Sequence, residues 1–164
     1  MRHAVLFLVA LAACRGGGSD PSTHSAAPEH APSQATVDGR SLRTAELRRD
    51  STAIGEQALS SRDPSVRRAA ARALARIADA RAAELLLLAL SDEDSEVSTW
   101  AAYGLGYACR GREAKTVRAL IVRAAGLDEP ERATPPLASP SEAISDALGR
   151  CAGPEAESTL RAWL

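Results

Sequence analysis

The chain aligns with itself at an offset of 31 residues, and this period limits the fold more than any other feature. Asp63-Pro64-Ser65-Val66-Arg67 aligns with Asp94-Ser95-Glu96-Val97-Ser98. Ala70 meets Ala101, Ala73 meets Gly104, Leu74 meets Leu105 and Arg81 meets Arg112. Further on, Leu86 meets Val117 and Leu90 meets Ile121, and upstream Leu59 precedes Leu90 by the same interval. A short regular period of this kind means stacked supersecondary units, because one unit cannot bury its apolar face alone.

Each unit reads as two helices. Asp63 is a good N-cap, and Pro64 stands at the first helical position, where its missing N–H costs nothing. Val66, Ala69, Ala70, Ala73, Leu74 and Ile77 then fall on one stripe of a 3.6-residue helix. Val97, Trp100, Ala101, Gly104, Leu105 and Ala108 repeat the stripe in the second unit. The partner helix of the first unit runs from Arg81 to Leu90, with Leu85, Leu86, Ala89 and Leu90 inward. Its counterpart uses Val117, Leu120, Ile121, Ala124 and Ala125, and Gly126 is a C-terminal stop. Composition agrees: the chain is 45% hydrophobic but only 3% aromatic, and alanine and leucine supply most of the apolar content. That is helix-forming material for closely packed helices, poor in the residues strands favour.

Leu127 to Ser139 is a loop with Pro130, Pro135 and Pro136. Ser139-Pro140-Ser141-Glu142 has the form of a capping box with proline at the first helical position. Pro140, Ala143, Ile144, Ala147, Leu148 and Cys151 continue the stripe in a third unit, and Gly153-Pro154 turns into a short last helix bearing Leu160 and Trp163. Before the first clear unit, Leu42–Arg49 and Ser51–Ser60 are expected to pair as two helices.

The run from Asp63 to Leu74, followed by Ile77, Asp79 and Arg81, resembles a HEAT repeat, most closely the short kind of the phycobilisome lyases. The resemblance extends over Ser41–Leu164, strongest in the first unit; the inserted loop breaks the spacing of the third, where nothing matches Arg81. It implies an all-α fold, an α-solenoid in which helix pairs build a right-handed superhelix. Its members are mostly scaffolds and binding surfaces.

The first forty residues have a different character. Met1-Arg2-His3 is a short positive segment, and Ala4–Ala13 is an apolar run of ten residues. A membrane-spanning helix needs roughly 20, so the run has the length of a signal sequence. It ends in Leu11-Ala12-Ala13-Cys14, which resembles the lipobox of bacterial lipoproteins. The resemblance implies cleavage before Cys14 and lipidation of its thiol, and Arg15 in place of an aspartate favours the outer membrane. An ordinary signal peptide cut near Ala13 is the alternative. Residues 15–40 hold Gly, Ser, Pro, Ala, Thr and His with almost no large apolar side chain, a composition that predicts a flexible tether. The expected organisation is therefore signal peptide 1–13, lipidated tether 14–40 and HEAT-like domain 41–164.

Little in the folded stretch suggests chemistry. His3 lies in the signal, and His24 and His30 lie in the tether, so the domain lacks the usual general base and commonest metal ligand. Gly16-Gly17-Gly18 lacks the lysine and hydroxyl of a phosphate loop. No catalytic, cofactor-binding or metal-binding residue is assigned, and an enzyme is not expected. With 20 basic and 21 acidic residues, the balance also argues against a nucleic-acid partner.

Candidates for recognition remain. Arg68, Arg72 and Arg76 recur every four residues with Arg67 beside them, a basic stripe suited to an acidic partner or to solvent. Trp100, Tyr103 and Tyr107 are three of five aromatics; Trp100 falls on the core stripe, and Tyr103 and Tyr107 lie beside it as core residues or interface anchors. Cys109 and Cys151 lie near the ends of first helices in neighbouring units, either joined as a disulfide in an oxidising compartment or unpaired. The sequence thus predicts a lipid-anchored, non-enzymatic module that binds a protein partner in the cell envelope, touching the membrane through its lipid alone. The alternative is an N-terminal HEAT segment supporting an envelope enzyme such as a folding catalyst.

Overall fold

The computed structural model describes residues 38–127 and 137–163. The expected signal sequence, Cys14, the histidines His24 and His30 of the expected tether and most of the expected loop before Ser139 lie outside the described residues. Among the described residues eight α-helices follow one another: α1 Gly39–Arg48, α2 Glu56–Leu59, α3 Pro64–Ile77, α4 Ala80–Ala89, α5 Ser95–Tyr107, α6 Glu113–Ala125, α7 Pro140–Cys151 and α8 Pro154–Trp163. The architecture is an all-α solenoid. The odd-numbered helices stack as one row, in the order α1, α3, α5, α7. The second helices form the other row: α4 leans on α3 and α5, and α6 on α5 and α7.

Local chemistry sets the boundaries. Asp38, Asp63, Asp79 and Asp94 each accept a backbone N–H at the start of a helix. Ser139 and Glu142 complete the capping box, each receiving the other's backbone N–H. The turn between α3 and α4 is two residues long. Ala78 takes the left-handed conformation at φ 53°, and Asp79 at once caps the next helix. That hairpin leaves no room for a loop and fixes the pair as a unit.

The N-terminal pair departs from expectation. In place of a helix over Ser51–Ser60 stand a 3-10 turn, Ser51–Ala53, and the single helical turn α2. Asp50 caps the 3-10 turn through Thr52 N, and Gly55 starts α2 with extended backbone. Buried Ile54 between them anchors the break in the core. The first helix also begins three residues before Leu42, at Gly39, because Asp38 caps it.

Small residues bring the first-row helices close. Every one of Ala70, Ala71, Ala73 and Ala75 is buried, so α3 is covered on two sides, by α1 and by α5. On α5, a Cβ added to Gly104 would lie 2.6 Å from Ala75 Cα and from Leu86 Cδ1. One added to Gly106 would lie 2.9 Å from Ala147 Cα on α7. Each glycine therefore marks one contact, Gly104 towards α3 and Gly106 towards α7. Leu74, Leu86, Leu90, Leu105, Leu120, Ile144 and Leu148 fill the space between the rows and are fully buried. Each contributes about 1.5–3 kcal/mol relative to exposure. The stripe of α6 is narrower than expected: Val117 and Leu120 are buried, Ile121 and Ala124 half-buried, and Ala125 exposed.

Candidate protein-binding face

The proposed basic stripe does not stand free. Arg67 is 8% exposed and turns into the stack. Its Nε and Nη2 donate to Asp92, its Nη1 donates to the Ser61 carbonyl at 3.0 Å, and Nη2 also reaches Glu93. Arg67 is thus engaged in holding the stack together and offers little surface of its own. The physical reason is position: the residue lies between the stripe and the solvent face, where α3 meets the turn before α5. Arg68 donates to both carboxylate oxygens of Asp94, from Nε to Oδ1 at 3.0 Å and from Nη2 to Oδ2 at 2.6 Å, and lies 3.5 Å from Glu96. Arg72 and Arg76 both approach Glu46 of α1, at 3.8 and 2.9 Å. Arg68 and Arg76 are therefore each hydrogen-bonded to a carboxylate of a neighbouring unit, while Arg72 only approaches the Glu46 that Arg76 already holds. The donation from Arg68 holds the Asp94 carboxyl below its usual 3.8, against the opposing effect of partial burial.

The aromatic residues do reach a surface. Tyr103 is 38% and Tyr107 52% exposed, while Trp100 is half-buried. Trp100 and Tyr103 meet edge to face at 5.9 Å, and Tyr103 and Tyr107 lie 4.8 Å apart. Arg76 of α3 lies over Trp100 at 5.9 Å, and Arg150 of α7 over Tyr107 at 4.3 Å. A groove of about 580 Å³ opens along this ladder. Arg76 forms one wall, Trp100, Tyr103 and Thr99 line the α5 side, and Glu142 and Asp146 of α7 form the other wall.

Cys109 and Cys151 are joined in a disulfide, with Cα atoms 5.4 Å apart and both side chains buried. Cys109 follows α5 and Cys151 ends α7, so the bond clamps the two helices that carry the groove. Among the described residues no group of three or more His, Cys, Asp or Glu side chains is placed to hold a metal ion. No described helix is long and apolar enough to cross a membrane.

Residues 51–120 match the family described as HEAT repeats. Over that stretch, less than half of the chain, the sequence is similar to HEAT repeats. Among curated proteins nothing matches the chain. The matched segment contains α2, α3, α4, α5 and most of α6, hence one wall and the aromatic floor of the groove. The second wall comes from α7, beyond the matched segment. The carboxylates of that wall, Glu142 and Asp146, are not among the recognition candidates that the sequence singles out. Their spacing of four, on one face of a helix, was the available signal, but nothing local ties that face to α5.

Proposed function

We propose that this protein is a non-enzymatic interaction scaffold, anchored to the bacterial cell envelope by lipid on Cys14, that binds a protein partner through the exposed face of α3, α5 and α7. The observation that carries the reading is the Trp100, Tyr103 and Tyr107 ladder, partly exposed on a helix clamped by a disulfide. Exposed tyrosine and tryptophan on a rigid element supply contact area at low entropic cost, the usual character of an interface anchor. HEAT repeats over 51–120 support the scaffold role, since such stacks expose extended helix faces. The envelope address rests on the signal-like segment and the Leu11-Ala12-Ala13-Cys14 run, which favour an outer-membrane lipoprotein facing the periplasm.

Two measurements test it. A photo-crosslinking residue at Tyr103 should trap a specific envelope protein in living cells, and the same residue at exposed Leu88 on α4 should not. Equal trapping at both positions, or none at Tyr103, refutes this face as the binding surface. Cys14→Ala should release the chain from the membrane fraction and abolish fatty-acid labelling; retention of either would remove the anchor.

A further inference from the structure

We infer that the groove between α5 and α7 selects a partner segment bearing a cationic side chain, lysine or arginine, seated against Tyr103 and Glu142. The inference rests on the proposed binding face and names the chemistry of what it takes. Sequence alone suggests the opposite, because the arginine stripe would favour an acidic partner. Those arginines already stand beside carboxylates: Arg68 beside Asp94, and Arg72 and Arg76 beside Glu46.

What lines the groove is one cation, Arg76, which shares the single carboxylate of Glu46 with Arg72, facing two carboxylates, Glu142 and Asp146. Asp146 is engaged by Arg150 at 2.6 Å. Glu142 accepts only a backbone N–H, from Ser139 through Oε2, and no arginine or lysine pairs with it among the described residues. The wall therefore keeps net negative charge beside an aromatic floor. The floor already shows its preference, since guanidinium groups lie over Trp100 and over Tyr107. Tyr103, between them, carries no such group among the described residues. An aromatic face next to a carboxylate attracts a cation both through the ring quadrupole and through direct Coulomb attraction.

The hollow also suits an extended segment better than a single headgroup. A smaller hollow of about 280 Å³ shares Thr99, Leu137 and Ala138 with the groove and continues to Arg68 and Glu96. Side chains on either side of the cation then have somewhere to lie.

The test uses the full chain and four capped pentapeptides with lysine, arginine, glutamate or leucine at the centre. Binding is followed by the nuclear magnetic resonance shift of the Trp100 indole N–H. The lysine and arginine peptides should bind about tenfold more tightly than the other two. Glu142→Gln should weaken them about threefold to tenfold, with unchanged thermal unfolding, because glutamine can keep the capping box. Equal binding of the glutamate or leucine peptide overturns the inference, as does an unaffected Glu142→Gln variant. Phosphatidylcholine vesicles that shift the same signal while the lysine peptide does not would also overturn it, in favour of a lipid headgroup. If Tyr103 crosslinks a partner through an acidic segment, cation selection fails while the binding face stands. If nothing crosslinks there, the binding face itself fails.

Discussion

Arg67 on α3 holds Asp92, which precedes α5, with two guanidinium nitrogens: Nε to Oδ2 at 3.0 Å and Nη2 to Oδ1 at 3.1 Å. The two side chains are 10% and 11% exposed. One period further along the chain stand Ser98 and Arg123, and these also touch, Arg123 Nη2 donating to Ser98 Oγ at 3.3 Å. The same Arg123 nitrogen donates to the Asp92 carbonyl, and Ser98 Oγ donates to that carbonyl as well. One structural position thus uses an ion pair in one repeat and a neutral acceptor with a reversed cation in the next. The geometry of the stack is retained while the charge pattern changes.

Removing one partner of the first pair leaves a buried charge alone. Arg67→Ala should lower stability by about 3 kcal/mol in urea unfolding, far above the ~0.5 kcal/mol of an exposed pair. Arg67→Ser with Asp92→Arg copies the arrangement of the second repeat. The double variant should be more stable than the summed single losses by about 1 kcal/mol or more. Strict additivity would show that the two repeats do not share this position.

Glycine spacing on the first row gives an opposed pair of outcomes. Gly104→Ala puts a methyl 2.6 Å from Ala75 Cα, a backbone atom that has to move. Helix propensity gains about 1 kcal/mol, but overpacking costs about 1–3 kcal/mol and should prevail. Gly149→Ala on α7 meets nothing within 4 Å, so it should stabilise by about 0.5–1 kcal/mol. Thermal melts of the two variants should move in opposite directions.

The disulfide closes a sequence separation of 42 residues around α6 and the loop that follows. Chain-entropy reasoning assigns such a closure about 4 kcal/mol. Reduction, or Cys109→Ala with Cys151→Ala, should lower the unfolding midpoint markedly. Hydrogen exchange should then rise first in α7 and α8, which lose their tie to α5. An unchanged midpoint would mean that helix packing alone secures this end.

Acid stability follows from Asp94. Its folded-state pKa lies below its usual 3.8, mainly through the hydrogen bond from Arg68. A depressed carboxylate pKa contributes stability above its unfolded value and loses it as pH falls through the folded one. The exposed caps Asp38, Asp50 and Asp63 are shifted in the same direction, chiefly by Ser41 N–H, by the Thr52 side chain and by the Ser65 side chain respectively. Stability should therefore decline below about pH 4. Asp94→Asn should be less stable at pH 7 and show a shallower decline, as measured by urea midpoints across pH.

The amino-acid order alone determined the helix pairs, their period and most of their inward residues. Apolar periodicity, the Asp and Ser caps, Pro64 and Pro140 act within a few residues and need no partner to be read. It missed the break at Gly55, because buried Ile54 outweighs local helix propensity there. The tertiary structure decided which charged and aromatic side chains remain available. Arg67 and Arg68 look alike in the chain, yet one is enclosed with Asp92 and the other lies at the surface with Asp94. Likewise Tyr103 meets Glu142 and Asp146 across one groove only because α7 returns to stack on α5. Burial and charge neutralisation depend on long-range neighbours, and those are set by the stacking of repeats and not by any one repeat.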